Sequence, residues 1–303
     1  MTIYGWSTTR GRRGRDHRQV IDAIAFKYRT GPLWMDLPEH FGSWKGAHNR
    51  LRKWAPDGTW EKVCTALLAQ AYAEGDLDWV VAVDSTIGRA HQHASGGPSK
   101  GAPAGEPDEH ALGRSRGGLT TKIHLAADSR CRPLAFVLSP GQAGDAPAFT
   151  EVMTRLRVPR PIGRPRTTPD VVLADKAYSS RAIRSHLRRR GIRAVIPQPS
   201  DQVAKRKRRG RSGGRPPAFD REACKGRNTV ERGINRLKQW RGWATRYDKT
   251  ATIYLAGLHL AAISIWSAKW SERNGLTPTV GDRRRRPPGR RRGDGLPTRP
   301  APP

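Results

Sequence analysis

The order of apolar runs predicts an α/β protein with a mixed sheet flanked by helices, preceded by a small helical domain. Two features predict it. Residues 16–73 carry apolar side chains at helical spacing, punctuated by Gly and Pro. From Asp78 onward the rhythm changes to short apolar runs separated by helical stretches: "WVVAVDST", "TTKIHLAAD", "RPLAFVLSPG", "DVVLAD" and "RAVIP". The expected division is a helical domain over 1–75, a mixed-sheet domain over 76–272 and an Arg- and Pro-rich tail over 273–303.

In the first segment, "DHRQVIDAIAFKYRTG" places Val20, Ile21, Ile24 and Tyr28 at helical spacing, and Gly31-Pro32 ends the run. "MDLPEHFG" can form a brief second helix that stops at Gly42. "SWKGAHNRLRKWAPDG" follows, with Ser43 as a candidate N-cap and Trp44, Ala47, Leu51 and Trp54 on one side. Lys45, His48, Asn49, Arg52 and Lys53 occupy the remainder. A helix, a tight turn and a helix with a basic, amide-rich face is the pattern of a helix-turn-helix DNA reader. A three-helix packing module with a solvated basic face fits the same residues.

In the second segment, "WVVAVDST" reads as a strand ending at Asp84. The next two runs form an antiparallel hairpin through "DSRC", and "DAPAFTEVMTRL" is a helix with Asp145 as N-cap, the alternative for Asp145 being a fourth carboxylate of a site. "VVLAD" is a buried strand ending at Asp175, followed by the helix "SSRAIRSHLRRRG", closed by Gly191, and the strand "RAVIP". The stretch "AKRKRRGRSGGRPP", 204–217, is too charged and Gly-rich to pack, so a mobile loop is expected. "ATIYLAGLHLAAISIW", 251–266, is short for a membrane span, which needs about 20 apolar residues, and reads as a core helix. From 281 onward the composition predicts a disordered basic tail.

Charge bounds the function. The net charge is +31, from 57 basic and 26 acidic residues. Such a surplus repels itself in a compact fold and points to a polyanionic partner, with nucleic acid favoured. Most of the basic residues are arginine, whose planar fork suits bidentate phosphate contact. A GC-rich genome would explain the choice of Arg, but not the excess of basic over acidic residues. The three cysteines have no C-x-x-C spacing, which argues against a zinc site or a disulfide framework and fits a reducing cytoplasm. The opening "MTIYGWSTTRGRRGR" lacks the apolar core of a signal peptide, so a soluble protein with no membrane partner is expected.

Chemistry enters through carboxylates. "VVAVD" and "VVLAD" finish alike, at Asp84 and Asp175, and in open α/β sheets sites form outside the carboxyl ends of strands. If the two strands are parallel neighbours, their carboxylates converge and repel unless a cation sits between them. Mg²⁺ suits such a place, since it takes one or two carboxylates plus substrate phosphates. A third carboxylate lies in "CKGRNTVERGINRLKQW", read as one helix with Val230, Ile234 and Leu237 as its apolar stripe. Arg227, Glu231 and Lys238 share the adjoining face, because separations of four and seven return to nearly the same angle. Taken singly, each aspartate also fits a cap or turn, and Glu231 an exposed ion pair.

"VVAVDST", "VVLADKAYSS" and "RNTVERGINRLKQWRGWATRYDK" together resemble the three catalytic segments of DDE transposases of bacterial insertion sequences. The resemblance is to the insertion-sequence-five group, related to that of insertion sequence four. It runs from about residue 14 to residue 270 and includes the signature Tyr-x2-Arg-x3-Glu-x6-Lys, matched by Arg227, Glu231 and Lys238. Cys224 stands at the tyrosine position.

The resemblance implies a ribonuclease-H-like fold with Asp84, Asp175 and Glu231 as catalytic metal ligands. Two Mg²⁺ ions, for which Mn²⁺ could substitute, would activate a water on a DNA phosphodiester and stabilise the leaving 3′-oxygen. The freed 3′-hydroxyl would then attack target DNA by the same displacement. Arg227, Lys238 and Lys176 would position phosphates, and Lys45, Asn49, Arg52 and Lys53 would contact DNA. The implied partners are the element's terminal inverted repeats and target DNA, with several copies assembling on DNA in the bacterial cytoplasm, on the nucleoid. The alternatives are a non-catalytic or decayed DNA-binding protein, and a metal-dependent nuclease on the same fold.

Overall fold

Asp16 accepts a hydrogen bond from the Arg18 amide and so caps α1 (His17–Thr30); Gly31, in the left-handed region at φ 79°, ends it. The computed structural model describes residues 16–97, 103 and 105–273, so the basic tail expected from 281 lies outside the described residues. Val20, Ala23, Ile24 and Tyr28 form the buried stripe of α1, while Ile21 falls off its edge and is partly exposed. Two 3-10 turns, Trp34–Asp36 and Glu39–Phe41, replace the brief helix read over this segment. The link from Gly31 to Ser43 is thus longer than the about four residues of a helix-turn-helix. Next come α2 (Trp44–Trp54) and α3 (Thr59–Ala73). Ser43 holds the cap position of α2 but makes no side-chain capping bond.

Strand β1 (Val80–Ala90) follows, then β2 (Gly113–Ser115), β3 (Gly118–Ala127) and β4 (Pro133–Pro140). Helix α4 (Asp145–Arg155) leads to β5 (Val171–Ala174), α5 (Arg181–Arg189) and β6 (Arg193–Val195). The seven-stranded sheet is mixed. β3 pairs antiparallel with β1, β2 and β4, while β5 lies parallel to β1 and β6 parallel to β5. An antiparallel trio continued by two parallel strands is the ribonuclease-H-like order.

Three local readings change here. β1 does not stop at Asp84 but runs to Ala90, because β3 keeps pairing with it as far as Arg89↔Thr120 after β5 has left at Val83↔Ala174. Asp145 is the first residue of α4 and not its cap; Gly144 holds the cap position, and no side chain caps the helix. Part of the segment read as a loop over 204–217 is helical: α6 (Ser200–Arg208) is followed by a 3-10 turn at Gly210–Gly213. Lys, Arg, Gln and Ala are good helix formers, and Asp201 in the first turn with basic residues in the last suits the helix dipole.

The stretch read as one helix is two: α7 (Arg221–Lys225) and α8 (Asn228–Lys238), separated at Gly226-Arg227. Then come α9 (Arg241–Ala244), β7 (Thr245–Arg246), which pairs with the end of β1, and α10 (Ala251–Arg273). By length and composition Ala251–Ala268 could cross a membrane, but α10 lies in the protein core, with Tyr254, Leu258, Ala261 and Ala262 buried against its neighbours.

Side chains alternate across each strand, so the sheet buries both faces. Ala82, Leu125 and Leu173 face a cluster with Ile24, Leu51, Val230, Ile234 and Leu258. Val81, Val83 and Val172 face Phe149, Met153, Ile183 and Leu187. Full burial of a side chain such as Phe149 or Met153 contributes about 1.5–3 kcal/mol. The N-terminal helices share the first cluster with α8 and α10, so they are not closed on a core of their own. Tyr28 fixes that docking: a Cβ at Gly242 would stand 2.6 Å from its Cα, and one at Gly257 would stand 2.4 Å from its ring.

Candidate active site

The parallel register of β1 and β5 ends at Val83↔Ala174, so Asp84 and Asp175 leave the last paired positions side by side, on strands about 4.8 Å apart. Asp84 shares the strand face of Ala82, the face on which α8 packs. The stripe Val230, Ile234 and Leu237 is buried and seats α8 on the sheet, leaving Glu231 exposed in its first turn. Three segments far apart in the chain therefore deliver a carboxylate to one edge.

Arg227 joins two of them. Its Nη1 lies 2.9 Å from Asp175 Oδ1 and its Nη2 lies 3.5 Å from Glu231 Oε1. Asp175 Oδ1 also accepts the Lys176 amide at 2.6 Å, while the Lys176 side chain is exposed. Asp84 is the most enclosed of the three. Burial raises its carboxyl above the ordinary carboxylate range; the Ser85 amide, donating at 2.8 Å, opposes this, the charges of Asp175 and Glu231 add to it, and Arg227 lowers it.

The other residues singled out by sequence lie on α2, α7 and α8. Lys238 is exposed at the far end of α8, about 10 Å along the axis from Glu231 at 1.5 Å per residue. Lys45, Asn49, Arg52 and Lys53 are all exposed on α2. Cys224 lies in α7, one short helix before Arg227.

A second polar group, of which the sequence reading named only Asp145, sits on the opposite face of the sheet. Ser85 points away from Asp84, and its Oγ donates to Asp145 Oδ1 at 2.6 Å. Lys122 Nζ lies 3.1 Å from the same oxygen and donates to the Ala143 carbonyl at 2.6 Å. His124 Nε2 and Ser139 Oγ are 2.8 Å apart, and burial lowers the His124 imidazole to about 4. Tyr178, three residues after Asp175, is buried beside Ser85 and packs on Phe149 of α4 at 5.8 Å between ring centroids. Lys122 and His124, at alternate positions of β3, are a signal of this group in the sequence, beside Asp145 itself.

The donor set fits a hard divalent cation, since three carboxylates are available, two of them half-exposed, and each supplies only oxygen. Among the described residues no three His, Cys, Asp or Glu side chains are already closed into a ligand cage. The Arg227 guanidinium lies between two of the carboxylates instead, and neutralises the charge a cation would neutralise.

Residues 75–266 match the family model described as Transposase DDE domain, and residues 2–64 match that of a putative transposase of the IS4/5 family. A putative transposase for insertion sequence element IS6501 from Brucella ovis is 29% identical over 152 residues, covering 49% of this chain and 98% of that protein. The uncharacterized protein y4sN of Sinorhizobium fredii is 40% identical over 90 residues, covering 29% of this chain and 68% of its own length. Among solved structures, the Mos1 transposase paired-end complex with left transposon end aligns over 80% of this chain and 84% of that one, at 13% identity and a TM-score of 0.23. Overlap that loose is no guide to the site.

Proposed function

The chain belongs to the transposase DDE-domain family, and on that premise we propose that it is the transposase of a bacterial insertion sequence of the IS4/5 type. It binds the terminal inverted repeats of its element, cleaves DNA strands with the help of divalent ions and transfers the freed ends to target DNA. One observation carries the assignment of the site: Asp84 and Asp175 leave adjacent parallel strands side by side, and Arg227 ties Asp175 to Glu231 of α8.

In this reading Asp84, Asp175 and Glu231 hold the divalent ions, Mg²⁺ by preference, with Mn²⁺ able to substitute. Bound there, the ions supply Lewis acidity that activates the attacking oxygen and stabilises the leaving 3′-oxygen. The protein's own residues do the rest. The Ser85 amide fixes the Asp84 carboxylate, and the Lys176 amide fixes that of Asp175. Arg227, paired with Asp175 and Glu231, offsets their mutual repulsion, and with Lys238 and Lys176 it would position a phosphate. Lys45, Asn49, Arg52 and Lys53 form an exposed face of α2 that contacts the duplex. Several copies assemble on the DNA, in the cytoplasm on the nucleoid.

Asp84→Asn, Asp175→Asn and Glu231→Gln each abolish Mg²⁺-dependent cleavage of terminal-repeat DNA while its binding survives. Wild-type cutting by any one of them removes that residue from the site. Strand joining in the same assay separates a transposase from a nuclease that only hydrolyses.

A further inference from the structure

We propose that Asp145 is a positioning residue for the cleavage reaction, acting through Ser85 to hold Asp84, and that α4 is the brace that sets the spacing of the two catalytic aspartates. The inference rests on the assignment of Asp84 and Asp175 as metal ligands, and adds to it a residue that touches neither ion nor DNA.

The geometry excludes the two simpler roles for Asp145. It does not cap its own helix. Nor does it share a face with the other carboxylates: Ser85 and Asp84 are consecutive in a strand and point to opposite sides of the sheet, and Asp145 lies on the Ser85 side. Its Oδ1 is engaged by Ser85 Oγ and by Lys122 Nζ, a side chain that is itself largely buried. Such engagement holds its carboxyl below the usual range despite burial, which acts the other way and is the largest single influence. This carboxylate is spent on protein.

What it holds is the residue that orients Asp84. Ser85 is gripped twice, by its hydroxyl on Asp145 and by its amide on Asp84 Oδ1. The hydroxyl bond fixes the Ser85 side chain, and so holds in place the residue whose amide engages Asp84. The same helix reaches the second aspartate: Phe149, one turn after Asp145, packs on Tyr178, whose amide donates to the Asp175 carbonyl at 2.9 Å. One rigid element thus touches both segments that carry a catalytic aspartate, from the face opposite α8. Groups that orient metal ligands from behind have large effects without contacting the ion.

The test uses the full-length protein on terminal-repeat DNA. Ser85→Ala and Asp145→Asn should each slow cleavage about 10–100-fold and weaken Mn²⁺ binding to the protein–DNA complex about tenfold, the latter followed by electron paramagnetic resonance without turnover. DNA affinity should stay as in the parent, and melting should stay within about 4 °C for Ser85→Ala, the milder change. Ser85→Thr, which keeps the hydroxyl, should recover most of the rate. The proposal is overturned if the two variants melt earlier yet bind Mn²⁺ and cleave like the parent, since the bond would then be structural only. It is equally overturned if Asp145→Asn loses Mn²⁺ as completely as Asp84→Asn does, for Asp145 would then be a ligand. Should Asp84→Asn itself keep parental Mn²⁺ binding and cleavage, the site assignment fails instead, and the two failures are distinguishable.

Discussion

The two faces of the sheet beside Asp84 carry comparable numbers of polar groups and treat them in opposite ways. Towards α8, Asp175, Glu231 and Arg227 are half-exposed and joined by one guanidinium, and burial disfavours the charge on Asp84. Towards α4, Lys122, Asp145 and Ser85 are bonded to one another and His124 Nε2 to Ser139, while His124 Nδ1 is buried without a partner. Buried polar groups persist when they are paired, and a partly satisfied cluster is costly. The α4 cluster, whose Lys122, Asp145 and Ser85 side chains are engaged by protein, reads as support. The α8 face keeps charge unmatched at an accessible edge, which is where a cation and a phosphodiester can be recruited.

This contrast can be broken by experiment. After the carboxylate substitutions, which should abolish cleavage, the largest expected consequence falls on stability through the α4 face. The folded protein holds His124 neutral down to about pH 4, well below its ordinary value. Above pH 6.5 neither state is protonated there and the residue is neutral in its effect. As pH falls below that, the unfolded chain takes up a proton that the fold refuses, so stability is lost until about pH 4, by up to about 3 kcal/mol. His124→Gln should flatten this part of a plot of melting temperature against pH. An unchanged slope would mean that the imidazole is not held neutral.

On the α8 face, Arg227→Ala should pull two properties apart. Removing the competing guanidinium should tighten Mn²⁺ binding in the absence of DNA, while cleavage falls about tenfold or more for want of a phosphate partner. Parallel loss of both would make Arg227 a support for the carboxylates, like the residues behind them. Its direct effect on stability should be at most about 1 kcal/mol, because the pairs are half-exposed. The smallest effect belongs to α6, whose exposed Lys205, Lys207 and Arg208 are joined by Arg209 beyond its end. Replacing these four with Gln should lower the dependence of DNA affinity on salt by about 0.9 in log–log slope for each phosphate that these side chains neutralise. No change in slope would place α6 away from the DNA.

Much of this was legible in the sequence, for physical reasons that differ by element. The strands bearing Asp84 and Asp175 announce themselves because both faces are buried, so each reads as an apolar run. Their adjacency was conditional until the β1–β5 register was seen, since parallel pairing leaves no local trace. Glu231 was legible through the stripe of α8, but the break at Gly226-Arg227 was hidden, because residues on either side suit a helix. β2 and β7 are too short to carry a period. The charge of α6 disguised good helix formers as a loop. Asp145 was misread because a helix start and an aspartate are a common pair; only the tertiary contact with Ser85 and Lys122 gives it another task. The shared core of the N-terminal helices with α8 and α10 is likewise a long-range property.

The central claim is that carboxylates from β1, β5 and α8 grip divalent ions at one edge of the sheet. The most direct measurement is a crystal structure of the protein with terminal-repeat DNA and Mn²⁺, with the metal located by its anomalous scattering. The account predicts a peak bounded by Asp84, Asp175 and Glu231, with Arg227 turned from the carboxylates to a phosphate. A cleavage-competent complex whose Mn²⁺ sits elsewhere, with Arg227 still bridging Asp175 and Glu231, would contradict it.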